Sequence, residues 1–239
     1  MGAYAMKYTL IIISLIFLAP VSQGQTPSPQ ELEDWFNSED FLPPQIKVND
    51  GNLVFLKKEP AKLPLHAQIE FLLDKKSISD GWVRARQCYK NLDAMSESQI
   101  LYGYKSMRNL KIISTRNIEK AFVQGQSVQL INAQRPASVC TEAEVQNFYP
   151  RQDNRFVLTN GPYHRRFLDG YFPFRLSMKI KYSDGLQFVT SRPARQPGFE
   201  LTLNDNEIIL ETLFEGRLKT EFEFKALQQL VGFRIESVE

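Results

Sequence analysis

One region of the chain carries most of the residue types that could do chemistry. Residues 151–175 contain His164, Asp169, five arginines and six aromatic residues. A histidine beside a carboxylate can act as a general base or activate a hydroxyl nucleophile. His164 and Asp169 are therefore candidate catalytic residues, and a periplasmic hydrolase is the alternative function. Arg165 and Arg166 oppose this reading, because they disfavour the imidazolium and compete for Asp169.

Recognition of an anion suits the same region better than catalysis. Arginines offer planar forks to phosphate or carboxylate groups, and tyrosine rings offer stacking faces. A structural alternative is that the aromatic residues form a core plug between two β halves, with the arginines exposed or paired at its rim. The candidate ligand-binding residues are Arg155, Tyr163, Arg165, Arg166, Tyr171 and Arg175.

Common catalytic and cofactor motifs are missing from the sequence. There is no Gly-x-Ser-x-Gly, no His-Glu-x-x-His, no phosphate-binding glycine loop and no dinucleotide fingerprint. The two histidines, His66 and His164, are too few for a histidine-rich metal site. We expect His66 to be structural, and we predict no cofactor and no metal.

The N-terminus predicts export. Residues 8–18 form an apolar run preceded by Lys7, and Ser22 and Gly24 have the spacing of a signal peptidase site. We predict that residues 1–24 are a cleaved signal peptide; a membrane anchor would need a run of about 20 residues. The predicted location is the periplasm, with secretion as the alternative, and the mature chain is expected to be soluble.

The two cysteines agree with export. Cys88 and Cys140 form an even pair, and oxidising compartments favour a disulfide between such residues. Neither cysteine has a second cysteine or a histidine at ligand spacing, which disfavours a metal site.

Charge is distributed unevenly along the chain. Residues 151–198 carry nine Lys or Arg against three Asp, whereas residues 199–239 carry four against nine Asp or Glu. Residues 25–60 are also acidic, with three against seven. The basic middle either meets an anionic partner or is covered by the acidic ends of the same chain, and we favour the second reading. Nucleic acid is not an expected partner in the periplasm.

Alternating hydrophobicity predicts an all-β, mostly antiparallel fold, either a β-sandwich or two small β domains. Glycine and asparagine predict hairpin turns at 124–126, 184–185, 204–206 and 215–216, the last three within an antiparallel meander. A last strand is expected at 231–237. Ser28, Pro29 and Glu31 predict a short N-terminal helix at 29–37.

These patterns divide the chain into four regions. They are a signal peptide (1–24), an N-terminal arm with the acidic helix (25–60), a β-rich region containing the cysteine pair (61–150), and a junction loop followed by the meander (151–239). Export, β patterning and missing catalytic motifs together favour a non-catalytic protein. We expect it to bind or scaffold a cell-envelope component or a partner protein; its oligomeric state is left open.

Overall fold

The computed structural model describes residues 49–167 and 170–227. The predicted signal peptide, N-terminal helix and last strand lie outside these residues. The protein is all-β, as the alternation predicts. The described elements are β1 (Val54–Phe55), β2 (Leu65–Leu73), α1 (Lys75–Asp80), β3 (Trp82–Leu92), β4 (Met95–Leu101), β5 (Met107–Gln124), β6 (Ser127–Gln146), β7 (Phe148–Pro150), β8 (Arg155–Tyr163), β9 (Arg165–Phe167), β10 (Gly170–Phe172), β11 (Phe174–Tyr182), β12 (Leu186–Arg192), β13 (Phe199–Asn204), β14 (Glu207–Glu215) and β15 (Leu218–Ala226).

The larger sheet has nine strands, and its longest strand is β6. β5 pairs with one side of β6, and β3 followed by β4 pairs with the other side. The β5–β6 turn lies at Gly125-Gln126, where Gly125 has φ 58°, so the predicted hairpin is confirmed. β4 ends the strand order of this sheet, and its register with β6 is regular from Met95 to Leu101.

One parallel pair joins distant parts of the chain. β11 pairs with β2 in parallel from Phe174 opposite Leu65 to Tyr182 opposite Leu73, and it pairs with β14 on its other side. The nine-stranded sheet therefore contains strands from both the 61–150 and the 151–239 segments.

Two of the predicted hairpins are wrong. The turn at 184–185 leads from β11 in the nine-stranded sheet to β12 in a separate four-stranded sheet, ordered β12-β15-β8-β7. The turn at 215–216 likewise leads from β14 to β15, across the two sheets. Both segments have the local turn chemistry of a hairpin, but each flanking strand finds its partner elsewhere. The β13–β14 hairpin around Asp205-Asn206 is confirmed.

Buried side chains of both sheets belong to one hydrophobic cluster. It contains Phe71 and Ile180 from the nine-stranded sheet, together with Phe222 and Phe224 from the four-stranded sheet. The ring centroids of Tyr182 on β11 and Phe224 on β15 lie 5.2 Å apart. Burial of large aromatic side chains is the dominant stabilising contribution in such a core.

The predicted disulfide between Cys88 and Cys140 is present. The two residues lie directly opposite each other on β3 and β6, with their Cα atoms 4.0 Å apart. The disulfide therefore joins two strands that the sheet already pairs.

A short helix, α1, was not predicted from the sequence. Asp74 caps its first turn by accepting hydrogen bonds from the backbone amides of Lys76 and Ser77, and Gly81 ends it in the left-handed conformation at φ 74°. A Cβ on Gly81 would lie 2.7 Å from the carbonyl oxygen of Phe148, so glycine fits this position best.

Candidate functional site

The β9–β10 hairpin carries the central residues of the region 151–175 that the sequence analysis singled out. Arg166 lies opposite Tyr171 and Arg165 opposite Phe172 in its register. The guanidinium carbon of Arg165 lies 5.5 Å from the centroid of the Phe172 ring, within the range of a cation–π contact. Tyr171 donates its backbone N–H to the carbonyl of Asn49 at 3.1 Å, which ties the hairpin to the start of the described chain.

Just before this hairpin, β8 is irregular at Gly161-Pro162, where its register with β15 shifts. Gly161 has φ 91°, and a Cβ there would lie 2.5 Å from the carbonyl oxygen of Leu218. Only glycine tolerates both the dihedral angle and this close backbone approach. Of the residues that follow, Pro162, His164 and Arg166 are exposed, whereas Tyr163 and Arg165 are partly buried.

Asp93 is the ionic partner of this loop, and the sequence analysis did not identify it. Arg165 and Arg135 both donate hydrogen bonds to its carboxylate, and Lys62 lies 3.8 Å away. Partial burial acts to raise the pKa of Asp93, but the hydrogen bonds and charges of Arg165 and Arg135 outweigh it, and the pKa lies below its usual value. Three cations thus surround one carboxylate.

His164 is exposed at the surface of the loop. Its Nδ1 atom lies 3.2 Å from the carbonyl oxygen of Pro162, and its ring centroid lies 5.7 Å from that of Tyr171. Asp169, its predicted catalytic partner, lies outside the described residues. Within those residues, His164 makes no hydrogen bond to a carboxylate or a hydroxyl. The catalytic pair stays a prediction.

Tyr163 points its hydroxyl into the protein rather than toward solvent. The oxygen is buried and has no hydrogen-bond partner among the described residues. Burial, followed by the nearby hydroxyls of Tyr104 and Tyr89, raises the pKa of Tyr163 well above its usual value. Its hydroxyl is therefore poorly placed to contact a ligand at the surface.

Two of the predicted ligand-binding arginines have other partners. Arg155 pairs with Glu223 on β15 and lines a separate cavity of about 780 Å³. Arg175 pairs with Glu59. The structure therefore brings Arg165, Arg166 and Tyr171 together on one hairpin, with Tyr163 beside it.

Two adjacent cavities, of about 390 and 910 Å³, lie beside the hairpin and share Asp93, Met95 and Arg165 in their linings. We call them together the groove. Ligand-binding pockets commonly have volumes of this size. One side of the groove follows β4, and the other is formed by residues 162–166, 172–174 and 60–65.

Large apolar side chains are exposed along the groove. Leu63 is 72% exposed and Leu101 is 70% exposed, and Met95 and Phe172 are also exposed to solvent. All four line one or other of the two cavities. Clustered apolar side chains rimmed by polar residues are typical of interaction surfaces.

A second polar cluster lies on the outer face of the nine-stranded sheet. The Nε2 atom of His66 lies 2.7 Å from Ser177 Oγ, and Ser177 Oγ donates to Glu211 Oε2 at 2.7 Å. A carboxylate only accepts hydrogen bonds, so Ser177 gives its proton to Glu211 and His66 must donate to Ser177. A serine nucleophile needs the reverse polarity, with histidine as the acceptor.

The electrostatics of His66 agree with a structural role. Burial lowers its pKa, Lys90 lowers it further, and the charge of Glu211 opposes this only in part. The three residues come from β2, β11 and β14, so no sequence spacing could reveal the cluster.

The described residues contain neither a cluster of metal-ligand side chains nor a helix of membrane-spanning length. No group of three or more His, Cys, Asp or Glu side chains is placed to hold a metal ion. No described helix is long and apolar enough to cross a membrane.

No protein family model and no curated protein matches this chain. Among solved structures, the chain is similar to two crystal structures of the M1 zinc metallopeptidase from Deinococcus radiodurans. One is a mutant bound to a Tyr-Ser-Ala substrate (TM-score 0.38, 7% identity), and the other is a second structure of the enzyme (TM-score 0.36, 9% identity). In both comparisons the match covers 74% of this chain and 43% of that chain. So low a similarity carries no argument about fold or function.

Proposed function

We propose that this chain is an exported, non-catalytic β protein that binds a partner protein of the cell envelope through the groove. The observation that carries the proposal is the groove itself, where exposed apolar side chains lie beside a cluster of cations. Its cavities line both ends of β4, with Met95 at one end and Ile100 and Leu101 at the other, and β4 at about 3.3 Å per residue is roughly 20 Å long. A surface of this length suits a protein better than a small molecule.

Export is supported by two independent features. The N-terminal sequence has the order of a signal peptide, and the Cys88–Cys140 disulfide is of the kind that persists in oxidising compartments. Together they favour the periplasm, where a binding protein meets envelope partners.

The hydrolase alternative has less support. His164 is exposed, and its contacts within the described residues are the Pro162 carbonyl and the Tyr171 ring. The His66–Ser177–Glu211 cluster has the wrong proton arrangement for a nucleophile. No observation on the described residues favours catalysis over binding.

A variant of the two most exposed leucines tests the binding proposal. Leu63→Asp with Leu101→Asp should fold normally, because both side chains are mostly exposed. Cross-linking in whole cells should show an adduct with the unaltered protein and a loss of about tenfold with the variant, the equivalent of about 1.4 kcal/mol. Leu203→Asp on β13, where the side chain is 58% exposed, is the matched control and should keep the adduct. An adduct of equal yield in all three proteins would reject the groove as the binding site.

We also propose that the two sheets pack face to face as a β-sandwich. The shared hydrophobic cluster and the Tyr182–Phe224 contact support this arrangement. Phe224→Ala should then destabilise both sheets together, in one cooperative transition that costs about 3–5 kcal/mol. Separate transitions for the two sheets would contradict the sandwich.

A further inference from the structure

The outer edge of β4 is the most unusual feature of the groove. β4 pairs with β6 on one side, and among the described strands nothing pairs with its other side. In an antiparallel ladder, the N–H and C=O groups of alternate residues point away from the partner strand. β4 therefore presents a row of unpaired backbone groups, which can serve as a template for another strand.

The groove follows this edge closely. One cavity touches residues 98–101, which are four consecutive residues of β4. The other touches Met95 and Ser96 at the start of β4 and the two residues just before it. Consecutive side chains of a strand point to opposite faces of the sheet. A cavity that touches four in a row must therefore lie against the edge of the strand rather than against one face.

The opposite side of the groove is poorly suited to pair with β4. It contains Pro60, Pro64, Pro162 and Pro173. Proline has no backbone N–H and cannot donate to a ladder. The unpaired backbone N–H and C=O groups of β4 thus face the proline-containing side of the groove, and they are available to pair with a strand of another protein.

β5, which pairs with the opposite side of β6, has an edge that is protected against further pairing. Its register with β6 is irregular at three positions, and Asn109 and Asn117 have left-handed backbone angles. Such irregularities, together with its charged residues, prevent a further strand from pairing. β4 has a regular register and one charged residue, Glu97.

The charge of the groove indicates the chemistry of its partner. Four cations line it, against the single carboxylate of Asp93; the cations are Lys62, Arg135, Arg165 and Arg166. We infer that β4 binds an extended, acidic segment of a partner protein, which adds as a strand to the edge of the nine-stranded sheet. This inference rests on the proposed function and specifies the partner class and the mode of binding.

A designed peptide can test the inference before any natural partner is known. The probe is a fluorescently labelled peptide of alternating valine and glutamate, as long as β4, titrated into the full mature chain. A matched peptide with lysine in place of glutamate should bind at least about tenfold more weakly, because the groove is cationic. Arg166→Glu should weaken the glutamate peptide about tenfold. Arg195→Glu, at an exposed arginine that does not line the groove, should leave its affinity unchanged.

Backbone methylation distinguishes strand addition from side-chain contact. An added strand uses the N–H groups of alternate residues, so N-methylation of one alternate set should abolish binding and methylation of the other set should not. Hydrogen exchange should show that the peptide slows the amides of β4. The amides of β13, a regular edge strand with one charged residue, should be unaffected.

Three results would overturn the inference. The first is that no peptide binds, and the second is that methylation of either set has the same effect. The third is that the β4 amides are protected from exchange before the peptide is added. If that protection increases with protein concentration, a second copy of the chain occupies the edge. If it is independent of concentration, the chain's own segment before Asn49 occupies it. In the first two cases the leucine variants still test the proposed function separately, because cross-linking does not depend on strand addition.

Discussion

High pH should destabilise this protein through a group of buried tyrosines beside the groove. Burial raises the pKa of Tyr102 to about 12, and it raises the pKa values of Tyr89, Tyr104 and Tyr163 as well. Tyr89 donates a hydrogen bond to the buried Gln87 at 2.9 Å, so these hydroxyls belong to the core rather than to the surface.

The direction of the effect follows from the two pKa values of each tyrosine. In the unfolded chain a tyrosine loses its proton near pH 10, whereas in the folded protein it keeps the proton to a higher pH. The stabilising contribution is therefore fully present below about pH 10 and is lost as the pH rises through the folded-state pKa. For Tyr102, a pKa raised from 10.0 to about 12 corresponds to a loss of about 3 kcal/mol between these pH values.

Urea unfolding from about pH 8 to about pH 11 measures this loss. Above pH 10, each buried tyrosine should make the free energy of unfolding fall by about 1.4 kcal/mol per pH unit. Tyr102→Phe should remove one such contribution and make the slope shallower. Thr141, which loses its contact with the Tyr102 hydroxyl in this variant, still has the carbonyl of Gln87 at 3.4 Å.

The control separates tyrosine titration from other effects of alkali. Tyr149→Phe removes a hydroxyl on an exposed side chain and is the matched control. If Tyr102→Phe had the same slope as Tyr149→Phe and the unaltered protein, the Tyr102 hydroxyl would ionise at the same pH in the folded and the unfolded chain. The reasoning from burial would then be refuted.

Three further predictions concern the disulfide, the ionic cluster and export. Replacing both Cys88 and Cys140 by serine should lower the free energy of unfolding in urea by about 4 kcal/mol on the chain-entropy model, since the bridge spans 52 residues; an unchanged midpoint would contradict this. Asp93→Asn should lower the free energy of unfolding at neutral pH, because it removes the carboxylate that pairs with Arg165 and Arg135. The difference from the unaltered protein should shrink below about pH 4, where the Asp93 carboxylate of the unaltered protein takes up a proton. An equal loss of stability at both pH values would point to packing instead. N-terminal sequencing of the exported protein should begin at Gln25, and a chain that retains residues 1–24 would exclude cleavage.

Local features of the fold could be predicted from the sequence because they depend on nearby residues. Alternating hydrophobicity indicated the strands, and glycine or asparagine indicated the turns of the β5–β6 and β13–β14 hairpins. The same rules failed at 184–185, where a hairpin-like turn leads into another sheet. A turn of a given type fixes the direction of the chain only locally. The burial of the strand that follows the turn decides which other strand it pairs with.

The candidate site shows the same division. Arg165, Arg166 and Tyr171 could be proposed from composition and lie together on one hairpin. Asp93 could not be proposed, because it lies 72 residues before Arg165 and the cost of closing a loop varies only slowly with its length. Sequence distance therefore says little about which carboxylate an arginine meets.

The sequence by itself determined the strand content and two of the hairpins, since each depends on residue type and local spacing. It also determined the disulfide, because two cysteines allow only one pairing within the chain. Only the tertiary structure decided that β2 and β11 pair in parallel and that Tyr163 turns its hydroxyl inward. It also decided that, among the described strands, none pairs with the outer side of β4 beside the cationic groove. These outcomes arise from competition between distant segments for the same buried surface. No local pattern encodes the result of that competition.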